Sequence, residues 1–182
     1  GEPLPLAQDK LAIRGHAIEA RLYAEDPERG FLPSIGRIAH WRMPAASDRV
    51  RVDTGFAEGD EVSPYYDPML AKLIVWGEDR ERARSTLLAA LADCEVAGVA
   101  TNIAFLERVV AHEAFATGKL DTGLIEKHHA ALFPPPGRTP PLALAAAAID
   151  ELVHARSNEP AADPYSPWRT TDAWWPNSAR HA

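Results

Sequence analysis

The sequence predicts an α+β fold: a small antiparallel, barrel-like sheet followed by packed helices. In the first half, short apolar runs alternate with turns rich in Gly and Pro, which is typical of small folded sheets. From Glu78 onward the apolar residues recur at helical spacing instead, for example at Leu87 and Leu91. A Pro-rich segment, 133–141, then predicts a stiff linker before a lone Ala-rich amphipathic helix.

Four strands are predicted, at 11–23, 37–41, 50–54 and 69–76. The last of them is strongly apolar, and its β-branched residues and flanking turns favour a buried strand over a helix.

The predicted helices start with a segment from Glu78 that Gly98 closes and that contains Cys94. Thr101 is the expected N-cap of a second helix, and Asp121 that of a third reaching residue 132. The expected organisation is a domain over 1–132, the linker over 133–141, and a further region over 142–182 that starts with the Ala-rich helix.

Composition limits the classes of function. The net charge of −7 and the lack of a basic stripe argue against a nucleic-acid partner. A single cysteine cannot form a disulfide framework, which fits a reducing compartment. No apolar run has transmembrane length and no signal peptide is present, so we expect no membrane partner and a cytoplasmic location.

The chain starts without Met and ends in a Trp- and Pro-rich tail, so we expect an excised fragment whose residues beyond about 156 are mobile.

The most informative stretch is RGHAIEARLYAEDPERGFL, residues 14–32. Strand side chains alternate between faces, so Glu19 and Arg21 share one face. An ion pair among apolar neighbours is costly to bury unless it has a task, which indicates part of an active-site wall. The alternative is an edge strand with an exposed ion pair of little energetic value.

Other kinds of site are less well supported. Lys72 lies inside an apolar strand, whereas the modified lysine of a biotinyl or lipoyl carrier sits at a hairpin tip. His128 and His129 are adjacent and would face apart on a helix, so we expect no metal site. No GxSxG nucleophile motif is present. The acids Glu25, Asp26 and Glu28 fit a solvated loop better than an acid–base pair.

Four motifs occur in a familiar order: GHAIEARLYAEDP, FLPSIG, YYDPMLAKLIVWG and TNIAFL. Over about 1–132 the sequence resembles the C-terminal part of the biotin carboxylase family, the ATP-grasp enzymes of biotin-dependent acyl-CoA carboxylases. The linker, the Ala-rich helix and DPYSPWRTTDAWW resemble the alpha subunits of 3-methylcrotonyl-CoA carboxylases. In those subunits the helix begins the region that tethers alpha to beta.

The resemblance implies ATP-dependent carboxylation of biotin by bicarbonate. It places the arginine that faces the ureido oxygen of biotin at Arg21, with Glu19 orienting it. It also implies that Asp67 lines the same substrate-binding region and that Arg51 lies in a dimer interface. The implied cofactors are biotin on a separate carrier domain, with ATP and Mg in the full subunit. The implied partners are the rest of the biotin carboxylase domain, the carrier domain, a carboxyltransferase beta subunit and a second copy of the chain.

The parts of the family's machinery that hold the nucleotide precede this segment. The Gly-rich phosphate loop, the ATP-binding lysines and the magnesium carboxylates do not occur in the sequence. We therefore expect the chain alone to be inactive and to bind none of these cofactors. The alternative function is a non-catalytic module for dimerisation and subunit docking, in which Arg21 is structural. Arg21 would face an open cleft in the first case and a packed interior in the second.

Overall fold

A computed structural model describes residues 1–135, 137 and 139–157, and it divides the chain into two units, Gly1–Pro134 and Pro135–Ala182. The strands described in the first unit are β1 His16–Tyr23, β2 Glu25–Asp26, β3 Leu32–Pro33, β4 Gly36–Arg37, β5 His40–Arg42, β6 Val50–Thr54, β7 Glu61–Val62, β8 Met69–Gly77 and β9 Glu95–Ala97. Its helices are α1 Arg80–Ala92, α2 Ile103–Ala111, α3 Glu113–Ala116, α4 Leu124–Lys127 and α5 His129–Leu132. The predicted mixture of helices with small antiparallel sheets is confirmed.

The main sheet has the strand order β1-β8-β6, and both pairings are antiparallel. Strand β8 is central, so its backbone is paired on both sides. Its side chains alternate: Leu73 and Val75 are buried, whereas Lys72 and Ile74 are on the opposite face and partly exposed. The remaining strands pair two by two, β2 with β3, β4 with β7 and β5 with β9.

The core lies between the main sheet and helix α1. Leu87 and Leu91 of α1 pack with Leu22, Leu73 and Val75, and all five side chains are almost fully buried. Asp79 caps the N-terminus of helix α1: its side chain accepts a hydrogen bond from the backbone N–H of Arg82 at 2.8 Å. This packing fixes the inner face of β1 and leaves its outer face exposed.

The strand predictions need two corrections. The first strand begins at His16 rather than residue 11, because Gly15 adopts φ +71° and interrupts the extended backbone. The predicted strand 37–41 is two strands, β4 and β5. Its middle residues bond to other segments, with Ile38 N–H donating to Asp60 O and Ala39 N–H donating to Ala97 O, both at 2.8 Å.

The helix predictions were also wrong in detail. The helix expected to reach Gly98 ends at Ala92, and Cys94 lies between it and strand β9, because 95–97 pair with β5. Asn102, not Thr101, occupies the N-cap position of α2. The helix expected to start at Asp121 is two short ones, α4 and α5, separated at His128.

In the second unit the described element is helix α6, Pro141–Ser157. Proline suits the first turn of a helix, which explains why α6 starts inside the predicted linker. The side chains of Leu142, Ile149 and Leu152 are each more than 60% exposed. Among the residues that the structure describes, no helix has both the length and the hydropathy to cross a membrane. The tail expected to be mobile, 158–182, lies outside the described residues.

Candidate functional site

Glu19, Arg21 and Tyr23 lie on the outer face of β1. Arg21 Nε donates a hydrogen bond to Glu19 Oε1 at 3.2 Å. The Arg21 side chain is 60% exposed and that of Glu19 is 40% exposed. The hydrogen bond to Glu19, and then one to Tyr23, raises the pKa of the Arg21 guanidinium above its already high value. The group is therefore a permanent cation that faces outward from an edge strand, which both the active-site interpretation and the exposed ion-pair alternative allow.

The inner face of β1 holds this group in place. Ala20 and Leu22 alternate with the charged residues and are buried, so the strand cannot rotate without exposing them. A β-bulge follows directly: Leu22 pairs with Ala71, and Tyr23 then pairs with Met69. Bulges re-aim side chains and are frequent next to active sites.

Asn102 is the site residue that sequence reasoning missed. Its side-chain Oδ1 accepts a hydrogen bond from Tyr23 N–H at 2.9 Å, and its Nδ2 donates to Arg21 O at 3.1 Å. Its own backbone N–H donates to Tyr23 O at 3.2 Å. The residue belongs to the TNIAFL motif, but the capping signal drew attention to Thr101 instead. No local pattern reveals a contact between residues 81 positions apart in sequence.

Two further cations share the outer face of the sheet. Lys72 lies directly opposite Arg21 in register and also opposite Asp53 on β6. Its Nζ is 3.4 Å from Asp53 Oδ2. Arg51 binds Asp53 through two hydrogen bonds, Nε to Oδ1 at 2.7 Å and Nη2 to Oδ2 at 3.0 Å. The hydrogen bond from Arg51 lowers the pKa of Asp53, with a smaller contribution from Lys72.

Arg51 is 73% exposed and lies two strands away from Arg21. Arg51, predicted to lie in a dimer interface, and Arg21, predicted to be catalytic, therefore lie on one face of the main sheet and bind different carboxylates.

Asp67 lies in the loop before β8. Its Oδ1 accepts a hydrogen bond from Met69 N–H at 2.8 Å, and Met69 pairs with Tyr23. Asp67 therefore stands at the Tyr23 end of the β1–β8 pair. Burial raises the pKa of the nearby Glu25, and the charge of Asp67 raises it further. The structure thus brings an acidic pair close to the strand that carries Arg21.

The lysine and histidines that a carrier or metal site would use are not arranged for those roles. Lys72 is in the middle of β8, away from any hairpin tip. The rings of His112 and His128 are 4.2 Å apart, centre to centre. Within the described part of the chain, no group of three or more His, Cys, Asp or Glu residues is arranged to hold a metal ion. Burial raises the pKa of the Cys94 thiol to about 11.

The family model described as biotin carboxylase C-terminal domain matches residues 19–127, which is more than half of the chain. The methylcrotonoyl-CoA carboxylase alpha subunit of Dictyostelium discoideum, a mitochondrial protein, is 46% identical over 171 residues, with 92% of this chain and 24% of that protein covered. The mitochondrial alpha subunit of the same name from Arabidopsis thaliana is 50% identical over 133 residues, covering 73% of this chain and 18% of that protein. The chain therefore spans about a quarter or less of these relatives.

A solved structure gives the same family. The biotin carboxylase domain dimer of Hydrogenobacter thermophilus 2-oxoglutarate carboxylase, in complex with MgADP, ADP and bicarbonate, superimposes with a TM-score of 0.70 at 37% identity. The match covers 75% of this chain and 30% of that one.

The prediction of a cytoplasmic location is contradicted by these comparisons. The methylcrotonoyl-CoA carboxylase relatives from Dictyostelium discoideum and Arabidopsis thaliana are mitochondrial proteins, as is the one from Mus musculus. The prediction rested on a single cysteine and the lack of a signal peptide. A reducing interior is not confined to one compartment, so cysteine usage could not make this distinction.

Proposed function

This chain belongs to the biotin carboxylase C-terminal domain family, and from that membership we propose that it forms part of the biotin-binding wall of an ATP-dependent biotin carboxylase. In the complete subunit, biotin would be carboxylated with bicarbonate at the expense of ATP. The identity to methylcrotonoyl-CoA carboxylase alpha subunits supports that class of acyl-CoA carboxylase as the parent protein.

The observation that carries the proposal is the exposed Arg21 guanidinium held by Glu19. Transfer of a carboxyl group to a ureido nitrogen places negative charge on the ureido oxygen when that nitrogen loses its proton. A cation fixed in advance stabilises such charge without reorganising during the reaction. Arginine suits the task because it stays ionised and presents its donors in a rigid plane. Glu19 orients Arg21 through the hydrogen bond to Nε and leaves the guanidinium facing solvent.

The other predicted roles are proposals of the same kind. Asp67 would line the biotin site, which is supported by its position at the Tyr23 end of β1 and β8. Arg51 would lie in an interface with a second copy, and its 73% exposure is compatible with that role. Barrel-like closure of the short strands would complete the subdomain when the rest of the biotin carboxylase domain is present.

ATP and magnesium would be held outside this chain. No Gly-rich phosphate loop occurs in the sequence, and the acids of the site, Glu19 and Asp67, are already engaged by Arg21 and by the Met69 backbone. The residues present therefore do not fit a nucleotide site. The biotin would come from a separate carrier domain.

A docking role is the second candidate function. It is favoured by the apolar side chains of α6, where Leu142 is 81% exposed and Leu152 is 66% exposed. An exposed apolar helix face of this kind suits a partner surface. We propose that α6 begins the region that attaches the alpha subunit to the carboxyltransferase beta subunit. This role and the catalytic role of Arg21 are compatible in one protein.

The test is Arg21→Lys in the full-length subunit that contains this segment. We expect biotin carboxylation to fall roughly a hundredfold, which corresponds to about 3 kcal/mol of lost transition-state stabilisation, because lysine has a different reach and a point-like charge. The KM for ATP should change little. Glu19→Gln should have a milder effect, since it only loosens the orientation of Arg21.

The matched control is Arg49→Lys. Arg49 and Glu78 form another exposed pair, with side chains 52% and 38% exposed, just outside the ends of β6 and β8. We expect this variant to keep normal turnover. The 182-residue chain alone should release only background phosphate from ATP in the presence of bicarbonate, magnesium and biotin. Near-normal carboxylation by Arg21→Lys would refute the proposed role.

A further inference from the structure

Asn102 is a buried polar residue that makes three hydrogen bonds to one short stretch of β1. Its side chain is bound at both ends, to Tyr23 N–H at 2.9 Å and to Arg21 O at 3.1 Å. Its backbone N–H adds the bond to Tyr23 O at 3.2 Å. The residue is only 7% exposed, so water does not compete freely for these groups.

These bonds take the place of the hydrogen bonds that a neighbouring strand would make to β1. β1 is at the edge of the main sheet, so within the described part of the chain one side of its backbone has no neighbouring strand. The Asn102 amide offers one acceptor and one donor, as a peptide group would, and satisfies Arg21 O and Tyr23 N–H on that side. The bulge lies between these two groups, at Leu22 and Tyr23. Asn102 therefore holds the backbone across the irregular point in the strand.

The use of the amide on β1 has a local cost. Asn102 stands at the N-cap position of α2, where an asparagine side chain usually accepts a hydrogen bond from the first turn. Here the side chain makes no such capping bond, and only its backbone oxygen engages the helix, by accepting from Leu106 N–H at 2.9 Å. The helix is anchored by its buried Phe105 and Val110. The amide is thus committed to the strand that carries Arg21, at the expense of capping its own helix.

We propose that Asn102 is a positioning residue for Arg21, an inference that rests on the catalytic role proposed for that arginine. By fixing the backbone at Arg21 and Tyr23, Asn102 sets where the guanidinium can meet the developing ureido oxyanion. Catalytic groups need to be held to within about 0.5 Å, and a displacement of about 1 Å can cost roughly a hundredfold in rate.

The experiment uses the full-length subunit with Asn102→Ala and Asn102→Asp. We expect kcat for biotin carboxylation to fall at least roughly tenfold in Asn102→Ala, while the KM for ATP stays within about twofold. Asn102→Asp keeps the size of the side chain and the acceptor for Tyr23 N–H, so it provides a folded variant if Asn102→Ala is unstable. Its ionised carboxylate cannot donate to Arg21 O, and we expect kcat to fall in this variant too.

Two measurements separate positioning from general destabilisation. Val110→Ala removes a buried side chain of the same helix from the core that Ala20 and Leu22 share, but it leaves the hydrogen bonds of Asn102 to β1 in place, so at a similar loss of Tm it should keep normal kcat. The double variant Arg21→Lys/Asn102→Ala should be no more than about twofold slower than Arg21→Lys alone, because a group acting through Arg21 has nothing left to position. A multiplicative loss in the double variant would overturn the inference, as would a kcat loss no larger than that of Val110→Ala.

The roles proposed for Arg21 and for Asn102 can be refuted separately. If Arg21→Lys lowers kcat and both Asn102 variants do not, the positioning role alone is wrong. If Arg21→Lys itself keeps near-normal turnover, the catalytic role of Arg21 is wrong and the role of Asn102 falls with it.

Discussion

Gly98 lies where two segments of backbone approach closely, and Gly98→Ala tests whether that approach limits the fold. The residue follows β9 and adopts φ +102°, which L side chains rarely adopt. A Cβ atom added there would lie 2.1 Å from Arg37 O and 2.7 Å from Ala39 N. Both neighbours are backbone atoms of the segment that contains β4 and β5. They cannot move aside as the end of a flexible side chain would.

The expected loss has two parts. Placing an alanine in left-handed backbone costs about 1–2 kcal/mol. Relieving the overlap requires a backbone shift, and overpacking of this kind typically costs about 1–3 kcal/mol more. The sum, roughly 2–5 kcal/mol, is a large share of the ~5–15 kcal/mol that stabilises an average domain. We therefore expect Gly98→Ala to be strongly destabilised or largely unfolded.

The measurement is urea unfolding of the 182-residue chain, followed by circular dichroism, with two other glycines as controls. Gly30 has φ +70° and no atom within 4 Å of an added Cβ, so Gly30→Ala should show only the conformational cost. Gly55 has neither a positive φ nor a close neighbour, so Gly55→Ala should be neutral or slightly stabilising. If Gly98→Ala lost no more stability than Gly30→Ala, the close approach would not constrain the fold.

Two further predictions concern titrating groups. Asp53 has a pKa below its usual value because Arg51 hydrogen-bonds to it, so its contribution to stability is present above the unfolded-state pKa of about 3.9 and is lost as the pH falls through the lower folded-state pKa. NMR titration of the carboxyl carbon should show this pKa rising in Arg51→Met, and an unchanged value would mean that the ion pair does not form in solution. The Cys94 thiol, with a pKa near 11, should react with iodoacetamide at pH 8 much more slowly than in the urea-unfolded chain, and equal rates would contradict its burial.

Sequence reasoning worked where one local signal decided the structure. The face shared by Glu19 and Arg21 follows from strand alternation alone, and the hydrogen bond between them follows from their proximity. The burial of β8 follows from its strongly apolar sequence between turns. In both cases the relevant neighbours are either close in sequence or simply the core.

It failed where distant backbone groups compete for a segment. The residues before Gly98 continue a helical pattern, but Trp41 pairs with Val96 and turns 95–97 into a strand. Thr101 is the expected N-cap, but Asn102 occupies that position, and its side chain bonds to β1 instead of to the first turn of α2. Periodicity and capping describe only local preferences, and here tertiary hydrogen bonds outweigh them.

Two arginines on the outer face look equivalent in sequence, and their geometry separates them. Arg21 and Arg51 each follow or precede a carboxylate by two residues on a strand, and both side chains are mainly exposed. Asp53 binds two nitrogens of Arg51 with both of its oxygens and is also 3.4 Å from Lys72 Nζ.

Glu19 binds Arg21 through one hydrogen bond, at Nε. A bidentate pair gives up two charge-assisted bonds when an incoming anion displaces the carboxylate, whereas Arg21 can keep its bond to Glu19 while the outer edge of its guanidinium meets the anion. Lys72 lies opposite Arg21, but its ammonium is paired with Asp53 on β6. It therefore does not compete with Arg21 for Glu19. The same spacing of arginine and carboxylate therefore gives Arg51 a bidentate pair with Asp53, whereas Arg21 keeps the outer edge of its guanidinium available to an anion.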